Sequence, residues 1–402
     1  MAQGLTNYFE KFLKKKSLFD DKKVLQSSYF PDEILHRDEQ INQIAQILAP
    51  ALRLERPSNL FIYGKTGTGK TLSVKHTLDH MQKVADQQQI PVKFIYLNCK
   101  LKKIADTEYR LIAELARFFG KAIPPTGLPT DEVYNIFFQT LEKEKQVIIL
   151  VLDEIDQLIK KAGDQIIYNL TRINADLKYA QLSIVGISND LSFADNLDPR
   201  VKSSLSEEEL VFPPYNALQI QDILHRRAGT AFKEGVLEEG VIPKCAAYAA
   251  REHGDARRAL ELLRVAGELA ERKEKELITF IELDEAEEKI ERDRFIDVIN
   301  TQPKQFQAAL YSIFLMQDQK TDFFFTGDVY DVYKKICNQS GLRPLTQRRI
   351  SDVVAELDML GIITTKVISK GRYGRTREIN LSLPEDLKPR IRVILEESLR
   401  LS

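Results

Sequence analysis

"YGKTGTGKT", residues 63–71, is the stretch whose reading decides the fold. It follows "NLFI" (59–62), an apolar run that reads as a buried strand, and precedes "LSVKHTLDHM" (72–81), which has helical spacing. Gly64, Lys65, Thr66, Gly67, Thr68, Gly69, Lys70 and Thr71 fit the phosphate-binding loop pattern. The glycines let backbone N–H groups turn inward around phosphates. Lys70 reaches the β- and γ-phosphates, Thr71 offers its hydroxyl to Mg²⁺, and the helix continuing through Leu72 adds its positive end. A chance glycine-rich turn is the alternative, and the strand–loop–helix context argues against it. The bound nucleotide is then fuel for a reaction, fuel for movement, or a signal that sets a conformation.

The second half of the site is "QVIILVLDEID" (146–156). Its apolar run ends on Asp153 and Glu154, at the strand end where open α/β sheets bind ligands. Asp153 is the candidate Mg²⁺ ligand, and Glu154 the residue that orients and polarises the attacking water. The plainer alternative is an acidic helix cap after a core strand. Asn189 closes a further strand, "QLSIVGISN" (181–189). Such an Asn is usually a turn residue; its spacing after the acidic strand is what makes it a candidate to hold the same water.

The 402 residues suffice for two or three domains. Hydrophobic residues make up 43% and charged residues 29%, an ordinary balance for a globular protein. No apolar run approaches a membrane span, and the N-terminus lacks a secretory core. Three distant cysteines and five histidines show no metal-ligand spacing, so a zinc site is not expected and reduced, structural thiols are. Residues 1–25 read as a flexible basic arm. Ile41, Ile44, Ile47, Leu48 and Leu52 then follow helical spacing, with Asp38 as a possible cap. "NLFIYG" (59–64), "VKFIYLNC" (92–99), 146–156 and 181–189 alternate with helical segments. This predicts a parallel sheet covered on both faces, over 26–213. Residues 214–300 read as helices only, and a linker near Pro303 leads to a third unit, 301–402.

These residues together resemble the AAA+ ATPases. "FADNLDPRVKSSLSEEELVFPPYNALQIQDILHRRAGTAF" (193–232) and "HGDARRAL" (253–260) narrow the resemblance to archaeal replication initiators, relatives of the eukaryotic origin recognition subunits and the cell-division-cycle helicase loader. "YFPDEILHRDEQI" (29–41) is similar to the segment that borders the adenine in that family, which puts His36 and Arg37 beside the nucleotide. The resemblance implies that Asn189 is the first sensor. It makes Arg200 the finger aimed at a neighbouring subunit's nucleotide and Arg257 the second sensor on the lid. Tyr215 and Arg227 fall beside the nucleotide. A guanidinium suits these roles because it offers bidentate donors to phosphate; the common alternative for any one arginine is a solvated ion pair. Over 100–145 the resemblance implies an initiator-specific helical insertion touching DNA near Thr126, Gly127 and Leu128. The alternative is that these helices simply cover the sheet, with Phe118, Phe119, Phe137 and Phe138 as core.

Three helical patterns, "PKQFQAALYSIFLM", "FTGDVYDVYKKICNQSG" and "TQRRISDVVAELDMLG", precede two strands, "IITTKVIS" and "TREINLSL", around "KGRYGR". This resembles a winged helix-turn-helix. Thr346, Gln347, Arg348 and Arg349 open the recognition helix. Lys370, Arg372, Tyr373, Arg375 and Arg377 crowd the wing. From Arg343 to Glu378 there are eight basic and four acidic residues, a modest footprint for DNA. A winged helix used for protein contact is the alternative.

The expected fold is therefore an α/β P-loop AAA+ domain with an all-α lid and a C-terminal winged helix. The expected function is a replication initiator that binds ATP or ADP with Mg²⁺ and hydrolyses ATP weakly as a switch. It would bind double-stranded origin DNA and recruit the replicative minichromosome-maintenance helicase. Self-association on DNA, no membrane contact and a cytoplasmic, nucleoid-associated location complete the expectation. A P-loop transcription regulator with a winged helix and a clamp-loader-like AAA+ ATPase are the competing classes.

Overall fold

The computed structural model describes residues 16–100, 107–124, 126–193, 197–319, 324–369, 375–385 and 387–401. The chain forms two compact units, Met1–Leu283 and Asp284–Ser402.

The first unit is built on five parallel strands: β1 (Leu60–Tyr63), β2 (Val92–Asn98), β3 (Gln146–Asp153), β4 (Ala180–Ser188) and β5 (Glu208–Val211), in spatial order β2-β3-β4-β1-β5. All eight residues of the interior strand β3 are buried, as a strand covered on both faces requires. One face packs Ile148, Leu150 and Leu152 against the helices Glu108–Phe118 and Thr130–Leu141. The other packs Val147, Ile149 and Val151 under the helices Asp38–Leu48 and Lys70–Gln88. The register brings the strand ends level: Tyr63 pairs with Ser188, Ile187 with Asp153, and Asp153 with Asn98. Whatever follows β1, β3 and β4 therefore meets at one edge.

The helix Asp38–Leu48 is not capped by Asp38. Arg37 holds the N-cap position without a side-chain bond, and Asp38 sits in the first turn, where its charge suits the helix dipole. The lid comprises the helices Ala217–Ala231, Val241–Arg251 and Ala256–Arg272. The described part of the segment expected to be a free arm, 16–25, is packed on this lid. Phe19 stacks on Phe232 at 4.7 Å, Lys22 pairs with Glu268 at 2.6 Å, and Leu18, Phe19, Val24 and Leu25 are buried. These apolar residues are worth more against the lid than in water, which overrides the polar composition around them.

In the second unit the helices Lys304–Gln319, Thr326–Gln339 and Gln347–Met359 carry a three-stranded antiparallel sheet of β6 (Phe324–Phe325), β7 (Ile363–Ser369) and β8 (Arg375–Leu381), ordered β6-β8-β7. Tyr333, Ile350, Leu357, Ile362 and Ile379 lie in its core. A fourth helix, Lys388–Leu399, not anticipated above, adds Ile391, Leu395 and Leu399 to that core. The long helix Phe280–Thr301 precedes the unit's three helices, and the limit expected at 300–301 falls at its end rather than at the division between units. No described helix is long and apolar enough to cross a membrane.

Candidate nucleotide and nucleic-acid sites

The loop after β1 wraps the start of the helix Lys70–Gln88. Gly67 and Gly69 have φ of 68° and 89°, left-handed values that favour glycine. A side chain at Gly69 would meet the Tyr215 hydroxyl at 2.8 Å, and one at Gly67 would overlap the Asp255 carboxylate. Lys70 is only 4% exposed, and its ammonium donates to the carbonyls of Gly64 and Lys65 at 2.7 Å each. Burial, then the nearby Arg257, lowers its pKa to about 8, against the opposing pull of Asp153 and Asp255. Among the described residues no carboxylate is bonded to this buried cation, which suits it to an anion.

The level strand ends deliver the acids. Thr71 Oγ1 donates to Asp153 Oδ2 at 2.8 Å. Tyr96 on β2 donates its hydroxyl to the same oxygen, a contact the sequence reading did not anticipate. Glu154 follows in the left-handed region (φ 55°), its N–H donating to Asp153 Oδ1 at 3.0 Å and its carboxylate 3.8 Å from Lys100 Nζ. Asn189 follows β4 directly, at the same edge. Next to it Ser188 donates to buried Asp156 at 3.2 Å.

The lid closes over this edge. Ala256 N–H donates to Gly67 O at 3.3 Å, and Lys65 Nζ lies 3.1 Å from His253 Nδ1. Asp255 caps the helix Ala256–Arg272, accepting from the N–H groups of Arg257 and Arg258. Gly67, Gly69, Thr71, Leu72, Tyr215, Arg227 and Arg257 line one cavity of about 530 Å³, together with Lys75, lid residues such as Ile223 and Leu260, and the stretch from Gln26 to Leu35. Arg227 is tied there to Val24 O at 3.4 Å and over the Tyr29 ring at 4.6 Å.

His36 and Arg37 do not line the cavity. His36 Nε2 pairs with Asp222 at 2.9 Å. Arg37 is 2% exposed and donates to three carbonyls: Thr68 at 2.9 Å, Pro213 at 2.7 Å and His36 at 3.1 Å. Burial lowers its pKa, which Tyr215 opposes. It is thus a staple between the loop and the base–lid connection. Arg200 stands apart, 67% exposed, paired with Asp198 at 3.0 Å and 5.3 Å from the Tyr168 ring centroid.

In the 100–145 stretch, Phe137 is core, Phe119 and Phe138 pack against it, and Phe118 is exposed. Thr126 and Gly127 are exposed, with open space around Gly127. In the winged helix, Thr346 caps the helix Gln347–Met359 by accepting from Arg349 N–H at 3.4 Å, and Gln347, Arg348 and Arg349 are all exposed. Lys370, Arg372 and Tyr373 lie outside the described residues, and Arg375 is described only as the start of β8.

Three family models match the chain: an "AAA domain" over residues 53–192, a "Cdc6 AAA+ ATPase-type lid domain" over 221–288 and a "CDC6, C terminal winged helix domain" over 297–388. An ORC1-type DNA replication protein of Thermococcus onnurineus is 54% identical over 383 residues, covering 94% of this chain and 92% of that protein. ORC1-type DNA replication protein 1 of Methanosarcina mazei is 52% identical over 402 residues, covering 100% of this chain and 95% of that protein. The Aeropyrum pernix ORC1 protein, solved in complex with DNA, superposes with a TM-score of 0.84 at 44% identity over 96% of this chain and 100% of that one. With a P-loop closed by a lid turn, a winged helix later in the chain and relatives this similar over nearly their full length, the chain belongs to the family of ORC1-type DNA replication proteins, the replication initiators.

Proposed function

We propose that this initiator is a nucleotide switch whose lid position sets its grip on double-stranded origin DNA, and that it recruits the replicative helicase in the ATP state. The observation that carries the reading is the seat of residues 253–257 on the P-loop. Ala256 bonds Gly67, Asp255 abuts it, and Arg257 lines the same cavity as Gly69 and Thr71. Phosphate on the loop is then felt by the lid through Arg257, and the two positions of the lid differ in free energy by what that contact is worth.

The residues present fit Mg-ATP. Lys70 is a buried cation awaiting an anion, the two glycines leave room for backbone amides to face it, and Thr71 with Asp153 supplies the oxygen donors a hard cation takes. ATP supplies a phosphoanhydride whose hydrolysis resets the switch. Glu154, held by the strand end, is the base that orients water, and Asn189 flanks it. Arg257 reads the terminal phosphate from the lid. Arg200, exposed and away from its own chain's loop, acts on a neighbour's site. Arg348, Arg349 and the wing around Arg372 and Arg375 contact DNA, as does the tip at Thr126 and Gly127.

Footprinting on origin and promoter duplexes tests this reading. Protection confined to origin sequences supports an initiator. Equal protection of promoters favours a transcription regulator, and DNA-stimulated rapid turnover without sequence preference favours a clamp-loader-like motor.

A further inference from the structure

We propose that Tyr96 is a positioning residue for the metal, holding Asp153 in the orientation that binds Mg²⁺, with Lys75 holding the Tyr96 ring. The proposal rests on the reading of Asp153 as a metal ligand and adds to it the residues that set its geometry.

Strand alternation puts Phe94 and Tyr96 on the face of β2 turned to the P-loop helix, and Ile95 and Leu97 on the other. A half-buried tyrosine on that face must find a partner for its hydroxyl. It finds Asp153 Oδ2, the oxygen that also receives Thr71 Oγ1 at 2.8 Å. Asp153 Oδ1 receives Glu154 N–H at 3.0 Å. Three donors from three elements, β2, the P-loop helix and the β3 end, thus fix one carboxylate. Lys75, one helical turn after Thr71 and on its face, lies 3.9 Å from the Tyr96 ring centroid and lines the cavity. The ring is therefore held from the helix side while its hydroxyl holds the acid.

A carboxylate that must keep one lone pair for a metal gains from partners that fix its rotation, and loss of such a partner typically costs about 10–100-fold in metal affinity.

The test is ADP binding by calorimetry in a Mg²⁺ titration, with EDTA as the metal-free arm. Tyr96→Phe keeps the ring and removes one oxygen. We expect its Mg²⁺ midpoint to rise at least roughly tenfold, with ADP affinity in EDTA and the thermal midpoint of unfolding unchanged. Lys75→Met should shift the Mg²⁺ midpoint in the same direction by less, and add nothing in the Tyr96→Phe background, because it acts by placing the hydroxyl that this background lacks. An unchanged Mg²⁺ midpoint in Tyr96→Phe, or an equal loss in EDTA, overturns the proposal. If Mg²⁺ has no effect on ADP binding by the parent protein, the assignment of Asp153 fails first and takes the proposal with it.

Discussion

The Arg37 guanidinium lies 3.7 Å from the centroid of the Tyr215 ring, and together they pin the P-loop to the start of the lid. Arg37 donates to Thr68 O on one side and Pro213 O on the other, while the Tyr215 hydroxyl occupies the space beside Gly69. Arg37→Ala strips three carbonyls of a buried donor, so it should cost roughly 2–4 kcal/mol in urea unfolding. Arg37→Lys keeps the charge but not the planar fork that spans two carbonyls and a ring, and should recover only a minor part of that loss. Stability equal to the parent in both variants would remove the staple.

Lys70 makes nucleotide binding depend on pH. Its pKa is depressed to about 8 in the anion-free protein. Between about pH 8 and the ordinary lysine range the folded chain holds fewer protons than the unfolded one, so anion-free stability rises with pH in that window. Phosphate restores the charge, so binding there takes up a proton. ADP affinity should fall by up to about tenfold per pH unit above pH 8 and be flat below pH 7. Calorimetry in buffers of different ionisation enthalpy counts the proton directly. Affinity independent of pH from 7 to 9.5 would contradict it.

Glu154→Gln should bind ATP as the parent does and lose turnover, because only the water-orienting carboxylate changes. Arg257→Ala should leave ADP binding nearly intact and weaken preference for ATP. Single-turnover hydrolysis and paired titrations read these two outcomes, and equal loss for both nucleotides would make Arg257 a structural residue.

Much of this site was legible because it depends on local pattern. The P-loop glycines, the apolar runs into Asp153 and Asn189, and the lid's Asp255-Ala256-Arg257 turn are contiguous signals. What escaped depends on contacts between distant segments. β5 (Glu208–Val211) was missed because only Leu210 is buried in it, so no apolar run announces the strand. Tyr96 reads as one more strand residue until β2 is paired beside β3. Arg37 reads as a ligand because the resemblance puts 29–41 beside the adenine, yet its guanidinium turns to carbonyls of residues 68 and 213. The packing of 16–25 on the lid rests on Phe19 meeting Phe232, across more than two hundred residues.

Arg348 and Arg349 are exposed in the first turn of the helix Gln347–Met359, the position from which recognition helices read base edges. Replacing either should cost roughly 1–3 kcal/mol and relax specificity. Replacing Arg372 or Arg375 should weaken all sequences alike and flatten the salt dependence by about one charge. A salt series of binding isotherms on origin and scrambled duplexes separates the two. If both pairs behave as phosphate contacts, the helix is not reading bases, and specificity comes from DNA shape or the 100–145 insertion.

The central claim is that nucleotide on the P-loop and DNA are coupled through the lid. The most direct measurement is the affinity of the parent protein for one origin duplex, at fixed salt, with ATP and with ADP. A coupling of ordinary size predicts affinities that differ by about fivefold or more, with the difference abolished in Arg257→Ala. Superimposable isotherms in ATP and ADP would contradict the account.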